Sequence, residues 1–421
     1  MSCGVQGVLR LAEAQQQLAA MLTCCVGRET VPLGQAQGRV LAETVIARYP
    51  SPRFDNSAMD GFALQAADLA ATGPLPLAGT ALAGHPFAAS WPSGSAVRIM
   101  TGAPVPQGTA AVVMQEQTEA VVQGESAAIV LRAAVKQGQN IRRCGEDIAA
   151  GEPVLAAGVR LGARNLPLLA AVGVSEVVVY RPLRVACFSS GDELRDVDAV
   201  LLPGQLVDSN RYGLRALLHK LGCEVLDLGI IPDDPAALRE AFLRGDAEAD
   251  VLITSGGVSV GDADYTRQIL AELGEVAFWK VAIKPGKPFA CGRLSRARHG
   301  RWFFGLPGNP VSALVTFLLL VQPALERLMG ADSAPRLRLR ATTLEPLRLS
   351  AGRIDFQRGM ASVNAEGELQ VVLAGEQGSG MFRALAQANC LICLDDQAYP
   401  DQSQLAAGSR VEILLFDEVM T

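Results

Sequence analysis

The sequence predicts a multidomain protein of combined α/β and β character, and three observations carry that prediction. Between residues 183 and 330, apolar runs alternate with helical stretches, the pattern of a parallel sheet covered by helices. Residues 47–147 are rich in Ala, Gly and Pro, with short apolar runs between turn signals, which reads as a β-rich lobe. After Gly330 the apolar period falls to two. Leu337, Leu339 and Ala341 alternate with Arg336, Arg338 and Arg340, as in a small barrel or sandwich. A chain of 421 residues has room for about two to four such domains.

In chain order, residues 8–23 place Val8, Leu11, Leu18 and Leu22 at helical spacing and predict an amphipathic helix. Residues 96–100, 110–115 and 127–131 are candidate strands of the β-rich lobe. Residues 150–182 hold one more extended segment, 176–180, stopped by Arg181 and Pro182, and read as a hinge. The α/β stretch offers strands at 183–188, 224–231, 250–254, 276–283 and 301–305. Helices at 210–221, 235–243, 263–273 and 310–329 follow most of them. Right-handed crossovers would then set all five strands parallel. Residues 411–416 form a late strand of the last lobe. No period of 20–50 residues repeats, which excludes a solenoid.

Composition narrows the function. Hydrophobic residues make up 49% and charged residues 19%, a globular balance. The net charge of −6 argues against a nucleic-acid binder that relies on a basic surface. The longest uncharged stretches, 69–97 and 302–325, are both interrupted, the second by Pro307, Asn309, Pro310 and Pro323. Neither supplies the ~20 unbroken apolar residues of a membrane span. The first residues lack a basic segment followed by an apolar one, so no signal peptide is expected and the cytoplasm is the expected location. Nine scattered cysteines fit a reduced compartment. Cys390 and Cys393 match CxxC without a second ligand pair, and so read as small hydrophobes in a buried strand rather than a zinc site.

Ligands of an open parallel sheet bind beyond the carboxyl ends of its strands. Five loops leave the expected strands there: 189–193 (SSGDE), 232–234 (PDD), 255–262 (SGGVSVGD), 284–288 (KPGKP) and 306–310 (LPGNP). Glycine-containing loops running into helices can hold a phosphate on backbone N–H groups. Nearby carboxylates suit Mg²⁺, and lysines suit anionic oxygens. Singly, each feature has a plainer explanation: a turn, a helix N-cap at Asp233 or Asp234, a solvated strand residue at Lys280. Their coincidence on one rim favours a Mg²⁺-dependent phosphate-ester or nucleotide site with room for a second small anion. Residues 257–261 also fit G-x-S-x-G, with Ser259 as the nucleophile of a serine hydrolase. The only later histidine, His299, sits in a charged turn with no carboxylate to orient it, so the elbow reads as a coincidence.

Longer runs sharpen this. Residues 55–63 (DNSAMDGFA), 98–106 (RIMTGAPVP), 145–148 (GEDI), 191–194 (GDEL), 208–210 (DSN), 254–265, 284–288 and 305–311 (GLPGNPV) occur in this order. The chain thereby resembles, over essentially its whole length, the molybdopterin molybdenumtransferases of the MoeA type, relatives of the gephyrin E domain. The resemblance implies four lobes. These are a linking lobe (27–46 and 148–182), a β-rich lobe (47–147), an α/β molybdopterin-binding lobe of MogA-like form (1–26 and 183–331) and a C-terminal β-barrel (332–421). It implies Mg²⁺-dependent insertion of molybdate into adenylylated molybdopterin with loss of AMP. Catalytic positions would be Asp60, Thr101, Arg142, Asp147, Glu193, Asp233, Asp264, Lys280 and Lys284, with Glu193 and Asp264 nearest the metal. Substrate would meet Ser255, Gly256, Gly257, Lys287, Pro307, Pro310, Arg358 and Ser379. The implied partners are the two substrates, a second copy of the chain as a homodimer, and other proteins of molybdenum-cofactor biosynthesis; neither nucleic acid nor membrane is expected. Departures are small: Ser189 and Ser190 precede Gly191 where Thr is usual, Asp262 replaces Glu, and residues 195–202 are unusual. The rival expectations are a non-catalytic scaffold on the same fold, which should carry additional interaction segments, and the Ser259 hydrolase.

Overall fold

The computed structural model describes residues 7–123, 126–257, 264–294, 301–332, 336–400, 402–416 and 420, with Gln123, Ser126 and Asp264 described by their backbone alone. The chain divides into two compact units. One takes the described parts of Met1–Glu29, Gly38–Ala42 and Val179–Thr421; the other takes Thr30–Gln37 and Glu43–Val178.

In the larger unit the strands are β1 (Val8–Leu9), β2 (Arg184–Ser190), β3 (Glu224–Ile231), β4 (Val251–Ser255), β5 (Gly274–Val281), β6 (Ile283–Lys284), β7 (Pro288–Leu294) and β8 (Trp302–Leu306). The helices among them are α1 (Leu11–Met21), α2 (Ser209–Lys220), α3 (Pro235–Glu248), α4 (Asp264–Leu273) and α5 (Pro310–Leu328). Seven strands form one sheet in the order β1-β5-β7-β8-β4-β2-β3. The five expected strands, now β2, β3, β4, β5 and β8, all run in one direction. The sheet is nevertheless mixed. β7, whose first residue Pro288 closed the expected 284–288 loop and whose remainder was assigned to no element, is inserted antiparallel between β5 and β8. It returns from β5 as a hairpin, so no helix announces it, and Pro288 is tolerated because it is the strand's first residue.

Both faces are covered. Neighbouring Phe303 and Phe304 point to opposite sides of β8 and are both fully buried. On one side Phe242 of α3 meets Phe188 and Phe303 edge-on, each at 5.6 Å. Such burial contributes roughly 1.5–3 kcal/mol per ring. On the other side Phe304 stacks near Phe289 beneath a core that includes Leu11, Leu214 and Phe317. α5 is long and apolar enough to cross a bilayer, but 78% of its window is already buried inside the fold. The expected helix at 8–23 starts late. Val8 and Leu9 pair with Lys280 and Val281 at the sheet edge, and the Arg10 amide donates to Glu13 Oε2 at 2.9 Å, opening the helix at Leu11.

Strands β9 (Arg338–Thr343), β10 (Ile354–Val363), β11 (Leu369–Leu373), β12 (Cys390–Asp395) and β13 (Arg410–Leu415) close into a five-stranded barrel in the order β10-β11-β9-β13-β12 and back to β10. The apolar alternation feeds its core, which holds Ala341, Val371, Ile392, Val411 and Ile413. A short helix, α6 (Phe382–Gln387), precedes β12. Cys390 and Cys393 are buried in β12, and burial pushes their thiols up to about 11 and about 12. β6 pairs in parallel with β10 and ties the barrel to the sheet.

The smaller unit is built on a six-stranded sheet ordered Ala111–Met114, Gly61–Leu64, Ala96–Ile99, Leu75–Ala81, Ser126–Leu131 and Thr118–Gln123. The three strands expected there are present. Those at 61–64, 75–81 and 118–123 were not expected, because their glycine, proline and polar content lacks the apolar alternation of a strand.

Candidate functional site

The carboxyl ends of β2, β4 and β8 open onto a cleft of about 1120 Å³ within the larger unit. Its walls come from the predicted loops: Glu193 after β2, Asp233 after β3, Ser255, Gly256 and Gly257 after β4, and Pro307 and Pro310 after β8. The glycine pair is dictated by close approach. Gly256 and Gly257 have φ of +95° and +67°, and a Cβ on Gly256 would stand 2.7 Å from the Ser190 carbonyl oxygen. Only glycine accepts both conditions at low cost.

Side chains that the sequence did not single out hold these loops. Asn210 Nδ2 donates to Ser255 Oγ and to the Gly308 carbonyl, both at 2.7 Å, stitching the loop after β4 to the loop after β8. Its Oδ1 is buried and has no partner among the described residues. Asp208 caps α2 and accepts from Ser189 Oγ at 2.9 Å and Arg211 Nε at 3.0 Å. Buried Arg211 also reaches Asp227 at 2.6 Å and Asp196 at 2.9 Å. Asp196 lies in the unusual 195–202 segment. Hydrogen bonding from Tyr212, at 2.7 Å, is the main reason its carboxyl sits down at about 2. Glu193 is exposed, and its carbonyl receives the Leu206 amide at 2.8 Å, so the segment folds back beside the cleft.

The predicted cations lie apart from the cleft lining. Lys280 is an exposed residue of β5. Lys284 ends β6, where Nζ contacts Ser350 Oγ at 2.9 Å and Asp355 Oδ2 at 3.1 Å. Lys287 is exposed, and its carbonyl accepts from the Val281 amide. Arg358 is 1% exposed. Its Nη2 donates to the carbonyls of Glu376 and Gly378 at 3.2 and 3.0 Å, while Nε has no partner among the described residues. Burial lowers its pKa, against an opposing pull from Asp355. A buried guanidinium without a paired carboxylate is a costly arrangement that an anion would relieve. The loop it supports carries Ser379, whose carbonyl accepts from the Val311 amide at 3.1 Å. One N–H at the start of α5, expected to face phosphate, is thus committed to protein. Phe382, just beyond, lines the cleft.

In the smaller unit three motif-bearing runs meet. Gly61 pairs with Ile99, which sets Asp60 and Thr101 at the same sheet end. Asp60 Oδ1 accepts from the Thr101 amide and hydroxyl, both at 2.7 Å, and the Thr101 hydroxyl is the largest cause of its lowered pKa. Ser57 exchanges backbone bonds with Gly102 and Ala103, and Ala58 donates to the Asn140 carbonyl. Arg142 extends this as an exposed partner of Asn56, and the Asp147 amide donates to the Ser51 carbonyl. Asp55, within the first run but not singled out, accepts from Arg143 Nη1 at 2.6 Å and the Cys144 amide at 2.7 Å, the Cys144 bond being the main cause of its lowered pKa.

Ser259 and His299, the hydrolase pair, lie outside the described residues, as does the side chain of Asp264. Among the described residues no group of three or more His, Cys, Asp or Glu could hold a metal ion.

The chain is similar to known proteins along most of its length. Residues 9–173 match the family described as the MoeA N-terminal region (domains I and II), 186–327 a probable molybdopterin binding domain, and 340–416 the MoeA C-terminal region (domain IV). The chain is 45% identical over 416 residues to a molybdopterin molybdenumtransferase of Haemophilus influenzae, covering 98% of this chain and 100% of the relative. It is 42% identical over 382 residues to one from a Nostoc species, covering 87% and 84%. The crystal structure of a molybdopterin biosynthesis MoeA protein from Pyrococcus horikoshii matches with a TM-score of 0.80 at 28% identity, over 97% of this chain and 100% of that one.

Proposed function

The chain belongs to the molybdopterin molybdenumtransferase family and is an enzyme of molybdenum cofactor biosynthesis, and from that premise we propose that it inserts molybdate into adenylylated molybdopterin with release of AMP. The observation that carries this reading is the cleft at the strand ends, whose ~1120 Å³ suits a nucleotide-sized ligand. Ser255, Gly256, Gly257, Pro307 and Pro310 would shape the seat of the pterin and its phosphate. Breaking the adenylyl linkage moves negative charge onto the departing phosphate, so fixed cations and hydrogen-bond donors lower the barrier most. The dithiolene sulfurs themselves bond to molybdenum, so no side chain need become a covalent nucleophile.

Mg²⁺ fits the donor set in its usual manner. It takes one or two carboxylates and fills its shell with water and phosphate oxygens, so a three-ligand protein cluster is not required. Glu193 and Asp233 on the cleft wall offer such oxygens, and Asp264 begins the helix that follows the glycine loop. Bound there, the ion would neutralise phosphate charge. Lys280, Lys284, Lys287, Arg358 and Ser379 are assigned to the anions, and Asp60, Thr101, Arg142 and Asp147 to the second half of the catalytic set. The same reading gives a cytoplasmic homodimer that exchanges substrate and product with other proteins of the biosynthesis.

The test incubates purified protein with adenylylated molybdopterin, Mg²⁺ and molybdate, then measures AMP and the reconstitution of a molybdenum-free apoenzyme. AMP and active cofactor should appear together and only with molybdate present. AMP formation without active cofactor would reduce the protein to a hydrolase of the adenylylated pterin.

A further inference from the structure

Lys284 is held from behind by two groups that the proposed reaction does not use. Asp355 is its register partner across the β6–β10 ladder, and the Asp355 side chain is only 5% exposed against 49% for Lys284. Ser350 closes the triangle, donating to Asp355 Oδ2 at 2.8 Å and standing 2.9 Å from Lys284 Nζ. The turn carrying Ser350 is itself fixed. The Gly352 amide donates to Asp396, which Arg10 grips at 2.7 Å.

We propose that Asp355 and Ser350 are positioning residues that aim Lys284 at the anionic substrate. The proposal rests on the reading of Lys284 as part of the anion site. An exposed ion pair flickers and contributes little, but a carboxylate buried this far must keep a partner or bear its desolvation alone. Lys284 is therefore anchored at its inner side. An ammonium has three N–H donors, and Ser350 and Asp355 occupy two directions. The third points away from the clamp, on a side chain half exposed to solvent, where an oxyanion can accept it. Prior ordering of a flexible lysine also removes an entropy cost that binding would otherwise bear.

The experiment uses the full-length protein, with Ser350→Ala and Asp355→Asn made singly and in a Lys284→Ala background. Two quantities are read: the molybdate concentration giving half-maximal insertion, and the acetylation rate of Lys284 relative to exposed Lys220 by peptide mass spectrometry. Each single variant should raise the half-saturating molybdate concentration about tenfold. The KM for adenylylated molybdopterin should stay near its starting value, and Lys284 should acetylate several times faster. In the Lys284→Ala background neither substitution should have a further effect, as coupling through the lysine requires. Faster acetylation with unchanged molybdate dependence would make the clamp a purely structural tie and overturn the proposal. Unchanged acetylation would overturn it too, by showing that the clamp does not hold the lysine. Should Asp355→Asn fail to fold, Ser350→Ala, which removes no charge, decides alone. Full insertion by Lys284→Ala would instead sink the anion-site reading, and the clamp with it.

Discussion

At the scale of single residues, Arg358 is the most informative side chain. It is buried, its donors face two carbonyls, and Nε is left over. No local pattern announces this burial, and it removes the reading of Arg358 as an exposed strand cation. We expect Arg358→Met to raise the half-saturating molybdate concentration at least about tenfold, with the affinity for adenylylated molybdopterin nearly unchanged, because the two ligands need separate donors. The stability loss should be about 1–3 kcal/mol, for two hydrogen bonds surrendered while the apolar volume is kept. Equal losses of both affinities would refute that division. Asp60 and Thr101 make a complementary case. They lie 41 positions apart, so no local pattern links them, yet the Thr101 hydroxyl donates to Asp60 and lowers its pKa. Their individual motifs were legible in the sequence, while their contact was not.

At the scale of elements, the parallel strands were legible because burial on both faces leaves continuous apolar runs. The hairpin strand β7 was not, since it carries no helix and begins at a proline. The loop framework was equally hidden. Asn210 sits in a recognisable run, but its bonds to Ser255 and Gly308 span 45 and 98 positions. Removing them in Asn210→Ala should cost about 1–3 kcal/mol, read as a lowered urea midpoint, and should weaken binding in the cleft those loops form. An unchanged midpoint would mean that the loops need no stitch. The neighbouring segment at 195–202 gives a pH test. Asp196 is depressed to about 2, chiefly by Tyr212, so its contribution is complete above the ordinary carboxylate range and lost as pH falls toward 2. The stability gap between the native protein and Asp196→Asn should therefore hold steady from about pH 7 to 5 and narrow below about pH 4. A gap that stays constant down to pH 3 would show that this carboxylate is not held.

At the scale of the whole molecule, the assigned acids fall in separate compact units. Asp60 and Asp147 belong to one, Glu193 and Asp233 to the other. A homodimer of this chain would contain two equivalent sites related by its symmetry axis. If each working site takes one set of acids from each subunit, lesions in different sets complement each other. Consider a purified mixed dimer with Asp60→Ala in one subunit and Glu193→Gln in the other. One site then carries both lesions and the other carries none, so about half of the native insertion activity should return, given independent sites. A site formed within a single subunit leaves both copies damaged, and nothing returns. The two mutant homodimers must be inactive for the comparison to count, and differently tagged subunits purified in sequence establish that the mixed species is intact. Activity no higher than that of the homodimers would confine each site to one subunit. The molybdate dependence of the recovered activity adds a second check. The undamaged site retains its own Lys284 and Arg358, so its half-saturating concentration should equal that of the native protein while the maximal rate is halved.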